Sequence, residues 1–210
     1  MTGLTMTLID QSKKEALQKI INEKQKARLV VNTHSRQGRI CFKRAQELLK
    51  LRGFELDGSY AVNDPSRLPE IVAHAKEQGC KVLIVGGGDG TLSSIVDYLA
   101  YEDIVLAVLP LGTGNGFART LGLPLDLEGA VDTIVNGQVV TIDLGVADGD
   151  YFANIVSIGF NAFVVHNTPN SLKRFLGVFS YVIQGIKEIF RNRPFVCDLI
   201  CDGENIALST

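Results

Sequence analysis

The segment Gly86-Gly87-Gly88-Asp89-Gly90-Thr91 sets one carboxylate among four glycines, directly after the apolar run Lys81–Val85. Glycine adds little to a core, so this density points to a ligand. It permits positive φ and lets the backbone come close to another molecule. Successive N–H groups in such a loop suit a phosphate. Asp89 lies among those donors, where a carboxylate can take a proton or help hold a metal ion. Thr91 stands where it would cap the following helix. The loop is not a Walker A motif, because no Gly-Lys-Ser/Thr follows, and it lacks the usual G-x-G-x-x-G spacing of dinucleotide sites.

Two further loops have the same character. Asn32-Thr33-His34-Ser35-Arg36-Gln37-Gly38-Arg39 combines hydroxyls, an amide, two cations and a glycine. Ser35 and Gly38 would expose backbone N–H groups to a phosphate at the start of the next helix. Pro110-Leu111-Gly112-Thr113-Gly114-Asn115-Gly116-Phe117-Ala118-Arg119 brackets Thr113 with glycines. Asn115 would either bond a sugar or base or cap a helix, and Arg119 would pair with a phosphate or a carboxylate.

These loops need elements to hold them, and each follows a strand-like run. Ala27–Asn32, Lys81–Val85 and Ile104–Leu109 are short, continuous apolar segments. Residues 54–62 form a weaker strand. Helical patterns separate them: 10–26, 40–51, a stripe at Leu68, Ile71, Val72 and Ala75 with Pro65 suited to its first turn, and 91–100. Continuous apolar strands alternating with helices imply an α/β fold with a parallel sheet covered on both faces. Ligands of such sheets bind beyond the carboxyl ends of the strands, where all three loops fall.

Character changes near residue 138, so we expect an α/β domain over 1–137 and a β-rich second domain over 138–210. Val139–Leu144 and Tyr151–Ile158 read as strands joined by a turn at Asp148-Gly149-Asp150. Leu172, Phe175, Phe179, Val182, Ile183, Ile186 and Phe190 make a helical stripe, either core packing or the wall of an apolar substrate site. Phe195–Cys201 reads as a strand and Asp202-Gly203 as a turn. The chain ends eight residues after Asp202 within that pattern, so the second domain is expected to be incomplete, a truncated protein or a fragment. Open strand edges there make pairing with a second copy an expectation.

Composition is that of a globular protein: 210 residues, 46% hydrophobic, 21% charged and a net charge of −2. Disorder, collagen and coiled coil are excluded for the whole chain. The charge is uneven. Residues 1–52 carry 12 Lys/Arg against 4 Asp/Glu, and the rest 9 against 19. The basic end is a solvated face or an attraction to phosphate or anionic membrane. Cys41, Cys80, Cys197 and Cys201 form no CxxC pair, which argues for buried reduced thiols and against zinc. No signal-peptide core and no spanning apolar run is visible, so a cytoplasmic location is expected, peripheral at the membrane face.

The set GGDGT (Gly87–Thr91), PLGTGNGFAR (Pro110–Arg119), LGLP (Leu121–Pro124), Asn154–Ala162 and Asp202-Gly203-Glu204 resembles the diacylglycerol kinase catalytic family, which includes bacterial lipid kinases and, more distantly, sphingosine and ceramide kinases. GGDGT alone is shared with NAD kinases and 6-phosphofructokinases; the second motif some twenty residues later is far more specific. The resemblance implies an NAD kinase/diacylglycerol kinase-like nucleotide-binding domain followed by a β-sandwich, with ATP between them. It implies transfer of the ATP γ-phosphoryl group to a lipid hydroxyl, with Mg²⁺. The implied partners are ATP and a lipid at a membrane surface, not nucleic acid. It assigns nucleotide contacts to Asn32, Ser35, Gly87, Gly88, Gly90, Thr91, Ser93, Gly112, Thr113 and Asn115. It gives Asp89 the general-base role and a share in holding Mg²⁺, and aligns Asn154 and Gly159 with the opening of the second domain. The match departs at Thr33, Arg36, Ser93, Ser94 and Gly116, the last where bacterial members usually have Asp. The competing readings are a soluble-substrate kinase of the NAD kinase type and a nucleotide-binding relative without catalysis.

Overall fold

The computed structural model describes residues 11–23, 26–157, 196–201 and 203–209. Contacts divide the chain into two compact units, one through Ile155 and one from Val156. The first unit runs α1 (Gln11–Asn22), β1 (Ala27–Asn32), α2 (Arg36–Leu51), β2 (Leu56–Val62), a 3₁₀ turn at Pro65–Arg67, α3 (Leu68–Glu77) and β3 (Val82–Gly87). It continues with α4 (Asp89–Ser93), α5 (Val96–Leu99), β4 (Val105–Pro110), α6 (Gly116–Thr120), α7 (Leu127–Asn136), β5 (Gly145–Ala147) and β6 (Asp150–Phe152). β1 to β4 form one parallel sheet in the order β2-β1-β3-β4.

The sheet is parallel because its central strands are apolar on both faces. Successive side chains point to opposite sides. Leu29, Val31, Val82 and Ile84 therefore meet one helical layer, and Val30, Leu83 and Val85 the other. On the first face lie Ile21 of α1, Cys41, Ala45, Leu48 and Leu49 of α2, and Ala130, Val131 and Ile134 of α7. On the second lie Leu68, Val72 and Ala75 of α3, Leu92 of α4, and Phe117 of α6. Each Val, Leu, Ile or Phe side chain among these contributes about 1.5–3 kcal/mol when fully buried.

Polar side chains fix the ends. Ser35 caps α2 through a 2.9 Å bond from the Gly38 N–H to its Oγ, and Asp126 caps α7 by accepting from Gly129. Within β1, the buried Arg28 donates to both Asp57 oxygens, at 3.2 and 3.1 Å, and to Gln78 Oε1 at 2.7 Å. Removing one partner of such a pair strands the other charge. Asp57→Ala should lower the unfolding free energy by about 2–4 kcal/mol, read from urea titration; a change under about 0.5 kcal/mol would refute a structural role for the pair. Cys41 and Cys80 are buried free thiols, and burial pushes both thiol pKa values up. They stay protonated at neutral pH.

Several elements differ from the sequence expectation. α2 begins at Arg36 because Ser35 caps it there, four residues ahead of the expected start. The helix expected over 91–100 is two short helices. Ser94 Oγ donates to the Thr91 carbonyl at 2.8 Å, competing with the helical bond, and fully buried Ile95 turns into the core. Val139–Leu144 is not a strand, and the Val139 N–H donates to Gln18 Oε1 of α1 in place of a strand neighbour. The hairpin forms later, as β5 and β6, over a two-residue turn. Asp148 (φ 54) and Gly149 (φ 92) both take the left-handed conformation that such a turn requires. The first compact unit includes this hairpin.

In the second unit, β7 (Val196–Cys201) and β8 (Glu204–Ser209) form an antiparallel hairpin, with Gly203 (φ 84) at its turn. The stripe from Leu172 to Phe190, and Gly159, lie outside the described residues. Among the described residues, no helix is long and apolar enough to cross a membrane.

Candidate functional site

Strand order places the site. β1 leads to β2 on one side, and β3 leads to β4 on the other, so the loops after the adjacent strands β1 and β3 diverge from a switch point. The loop after β4 borders them. Three contacts tie these loops together.

The first links the β1 and β3 loops. Asn32 Nδ2 donates to Thr91 Oγ1 at 2.9 Å, while Asn32 Oδ1 accepts from the His34 N–H at 3.1 Å. Thr91 is therefore not a cap. It is buried in α4, whose N-cap is Gly88, and its hydroxyl braces the neighbouring loop. Ser35 and Gly38 do not offer free donors as a pair, because the Gly38 N–H is spent on the Ser35 hydroxyl.

The second contact is backbone against backbone. A Cβ built on Gly112 would lie 2.4 Å from Gly88 Cα, and one on Gly88 would lie 2.9 Å from Gly112 Cα. Two glycines are what allow the β3 and β4 loops to touch. The glycine cluster thus has packing uses that its composition hides. Gly86 makes room for Val31 and Gly87 for Thr91, and none of Gly86, Gly87, Gly88 or Gly90 takes a positive φ. Of these four, only Gly90 has open space where a side chain would be.

The third contact runs from Asp89 to α6. Its Oδ1 accepts from the Phe117 N–H at 3.0 Å, and its Oδ2 stands 3.3 Å from where a Cβ on Gly114 would lie. α6 has no side-chain cap of its own, so Asp89 caps it from another loop. Asn115, at φ 51, holds the turn instead of capping the helix. Its Oδ1 accepts from the Gly112 N–H at 2.9 Å, and its Nδ2 donates to the carbonyls of Gly112 (2.9 Å) and Pro110 (3.3 Å). Arg119 Nε donates to the Gly114 carbonyl, again within the loop.

What remains outward is a rim of backbone. The N–H groups of Asp89, Gly90, Thr113 and Gly114 meet no protein acceptor among the described residues. Asp89, Gly90, Ser93, Thr113 and Gly114 are exposed. This is a polar cradle with one carboxylate, suited to an anion that brings its own cation. Among the described residues no three His, Cys, Asp or Glu side chains gather to hold a metal ion. That donor set fits Mg²⁺ carried by phosphate oxygens with Asp89 as a protein ligand, since Mg²⁺ commonly binds one or two carboxylates plus substrate phosphates.

Sequence reasoning placed these three loops together and named Asn32, Thr91 and Asn154, but it missed three contacts. Phe117 contributes through its N–H, which no side-chain pattern reveals. The Asn32–Thr91 bond joins residues 59 apart. Asn154 lies in the first unit, with its amide beside Gly116.

Residues 26–147 match the model of the diacylglycerol kinase catalytic domain. The chain is 35% identical over 170 residues to the diacylglycerol kinase of Staphylococcus saprophyticus, covering 78% of this chain and 55% of that protein. It is 35% identical over 188 residues to the diacylglycerol kinase of Bacillus subtilis, covering 85% and 60%. The crystal structure of a diacylglycerol kinase from Bacillus anthracis superposes with a TM-score of 0.68 at 25% identity, covering 88% of this chain and 61% of that one. The chain spans 55–60% of the length of these two curated relatives. With the family match covering over half of the chain and the α/β fold shared, the chain belongs to the diacylglycerol kinase catalytic-domain family.

Proposed function

We propose that the chain forms the nucleotide-binding part of an ATP-dependent lipid kinase, which transfers the γ-phosphoryl group to a lipid hydroxyl of the diacylglycerol type. The observation that carries this reading is the rim itself: Asp89 fixed beside loop N–H groups that have no acceptor among the described residues, where three loops meet at the carboxyl edge of the sheet. Phosphoryl transfer needs positioning and charge neutralisation more than covalent help, and such a rim supplies both.

The site residues divide by task. Gly88, Gly90 and Thr113 present backbone to the phosphates, and Gly112, whose N–H and carbonyl are both bonded by the Asn115 amide, holds the β4 loop against the β3 loop. Gly87, Asn32, Ser35, Thr91 and Asn115 shape the loops through the bonds and close contacts described above, and Ser93 offers its hydroxyl from the exposed side of α4. Mg²⁺, bound with ATP, would neutralise charge on the phosphate oxygens. Asp89 would help hold it and orient the acceptor hydroxyl. The hydroxyl oxygen bonds to the γ-phosphorus as the bond to the ADP oxygen breaks, and the hydroxyl proton passes to Asp89 and then to water. The substrate implies work at a membrane surface, which the protein would visit peripherally.

The test is ADP release with Mg²⁺-ATP and mixed micelles of diacylglycerol, monoacylglycerol, ceramide or phosphatidylglycerol, beside a reaction offering NAD. Turnover that depends on one of the lipids is the expected result. Turnover with NAD alone, or ATP binding with no turnover on any acceptor even in a chain extended to the length of its relatives, would overturn the lipid-kinase reading.

A further inference from the structure

Asn154 follows directly on two anchored residues. The Tyr151 N–H donates to Asp97 Oδ1 of α5 at 2.8 Å, and the Tyr151 ring stands edge-on to Tyr101 with centroids 5.9 Å apart. Ala153 then packs into the second apolar cluster, beneath the sheet face that carries α3 and α6. With both held, Asn154 is delivered over the first residue of α6. A Cβ built on Gly116 would come 3.0 Å from Asn154 Nδ2 and 3.5 Å from Asp89 Oδ1. The absence of a side chain at 116 therefore lets an amide donor and the Asp89 carboxylate both approach one point at the start of α6. Asn154 is exposed, and its amide makes no hydrogen bond to another described residue. It differs in this from Asn32 and Asn115, whose amides are spent on loop structure.

We infer that Asn154 is a further substrate-positioning residue, whose amide N–H donates to the oxygen of the acceptor hydroxyl while that hydroxyl points its proton at Asp89. The inference rests on the kinase reading above. A hydroxyl has one proton to donate and two lone pairs. If the proton goes to Asp89 and one lone pair to the γ-phosphorus, the other accepts from Asn154, and rotation about the C–O bond is fixed. The new O–P bond, the broken bond to ADP and the proton route through Asp89 are unchanged. Asn154 supplies orientation alone, and misplacement by about 1 Å can cost on the order of 10²-fold in rate.

Asn154→Ala should lower lipid-dependent turnover by about 10–100-fold while ATP binding, measured separately, stays within about twofold. Gly116→Ala should reproduce this loss by pushing the amide aside without altering it, and Asn154→Ser, which keeps a short donor, should recover part of the rate. Turnover of Asn154→Ala within twofold of the unmutated protein would overturn the inference. A second readout is independent of turnover. The ¹⁵N side-chain amide signal of Asn154, assigned by its loss in Asn154→Ala, is followed while dioctanoylglycerol is added with a non-hydrolysable ATP analogue and Mg²⁺. A saturable shift is expected; no shift overturns the inference. Absent lipid turnover in the unmutated protein bears on the kinase reading alone, and the amide titration still decides the role of Asn154.

Discussion

Asp89→Asn is expected to lower lipid-dependent ATP turnover by about 10²–10⁴-fold, with little change in thermal midpoint. Asparagine keeps an oxygen that can accept from the Phe117 N–H, so the cap on α6 survives. It loses the negative charge, and with it the capacity to take a proton or share a metal ion. Asp89→Ala should show the same catalytic loss and an added stability cost of about 1 kcal/mol, because α6 then has no side-chain cap. The pair separates the two tasks of one carboxylate. Turnover by Asp89→Asn within threefold of the unmutated protein would remove Asp89 from the chemistry and leave it only its structural bond.

The second large effect concerns two glycines with opposite surroundings. A Cβ at Gly112 would meet Gly88 Cα at 2.4 Å and Asn115 Oδ1 at 2.8 Å, neither of which is the end of a flexible side chain. Gly112→Ala must push the β3 and β4 loops apart. Overpacking of this kind costs about 1–3 kcal/mol, and ATP affinity should fall at least tenfold because donors on both loops move. A Cβ at Gly90 meets nothing within 4 Å, and the residue lies in a helical turn without positive φ. Alanine is favoured over glycine in a helix by roughly 0.5–1 kcal/mol, so Gly90→Ala should fold as well as or better than the unmutated protein. Its ATP affinity should nevertheless drop about tenfold or more, since the methyl group would enter space meant for a phosphate. Calorimetric titration with ATP, beside thermal melts of both variants, reads all four quantities. Unchanged ATP affinity in Gly90→Ala would mean that no phosphate approaches that rim.

The parallel sheet was legible in the sequence, because strands buried on both faces are largely apolar: β3 has no polar side chain, and β1 breaks its apolar run only at Arg28 and the terminal Asn32. The sequence by itself determined that three loops would meet at one edge, since each follows a strand and parallel strands end together. Pro65 marked the turn into α3, and Asp148-Gly149 marked the hairpin, because both are local φ requirements. Tertiary structure decided what each loop residue does. Thr91 has the right type and place for a cap, yet it braces Asn32 from within a helix. The glycines of the GGGDG run suggest left-handed turns, yet three of the four answer to Val31, Thr91 and Gly112, whose distances no local pattern encodes. Asp89 caps a helix 28 residues further on, and Asn154 reaches the site through a hairpin anchored on α5. Periodicity and turn chemistry are local and can be read along the chain. The Asn32–Thr91 and Asp89–Phe117 bonds join residues 59 and 28 apart, and only folding brings such partners to about 3 Å.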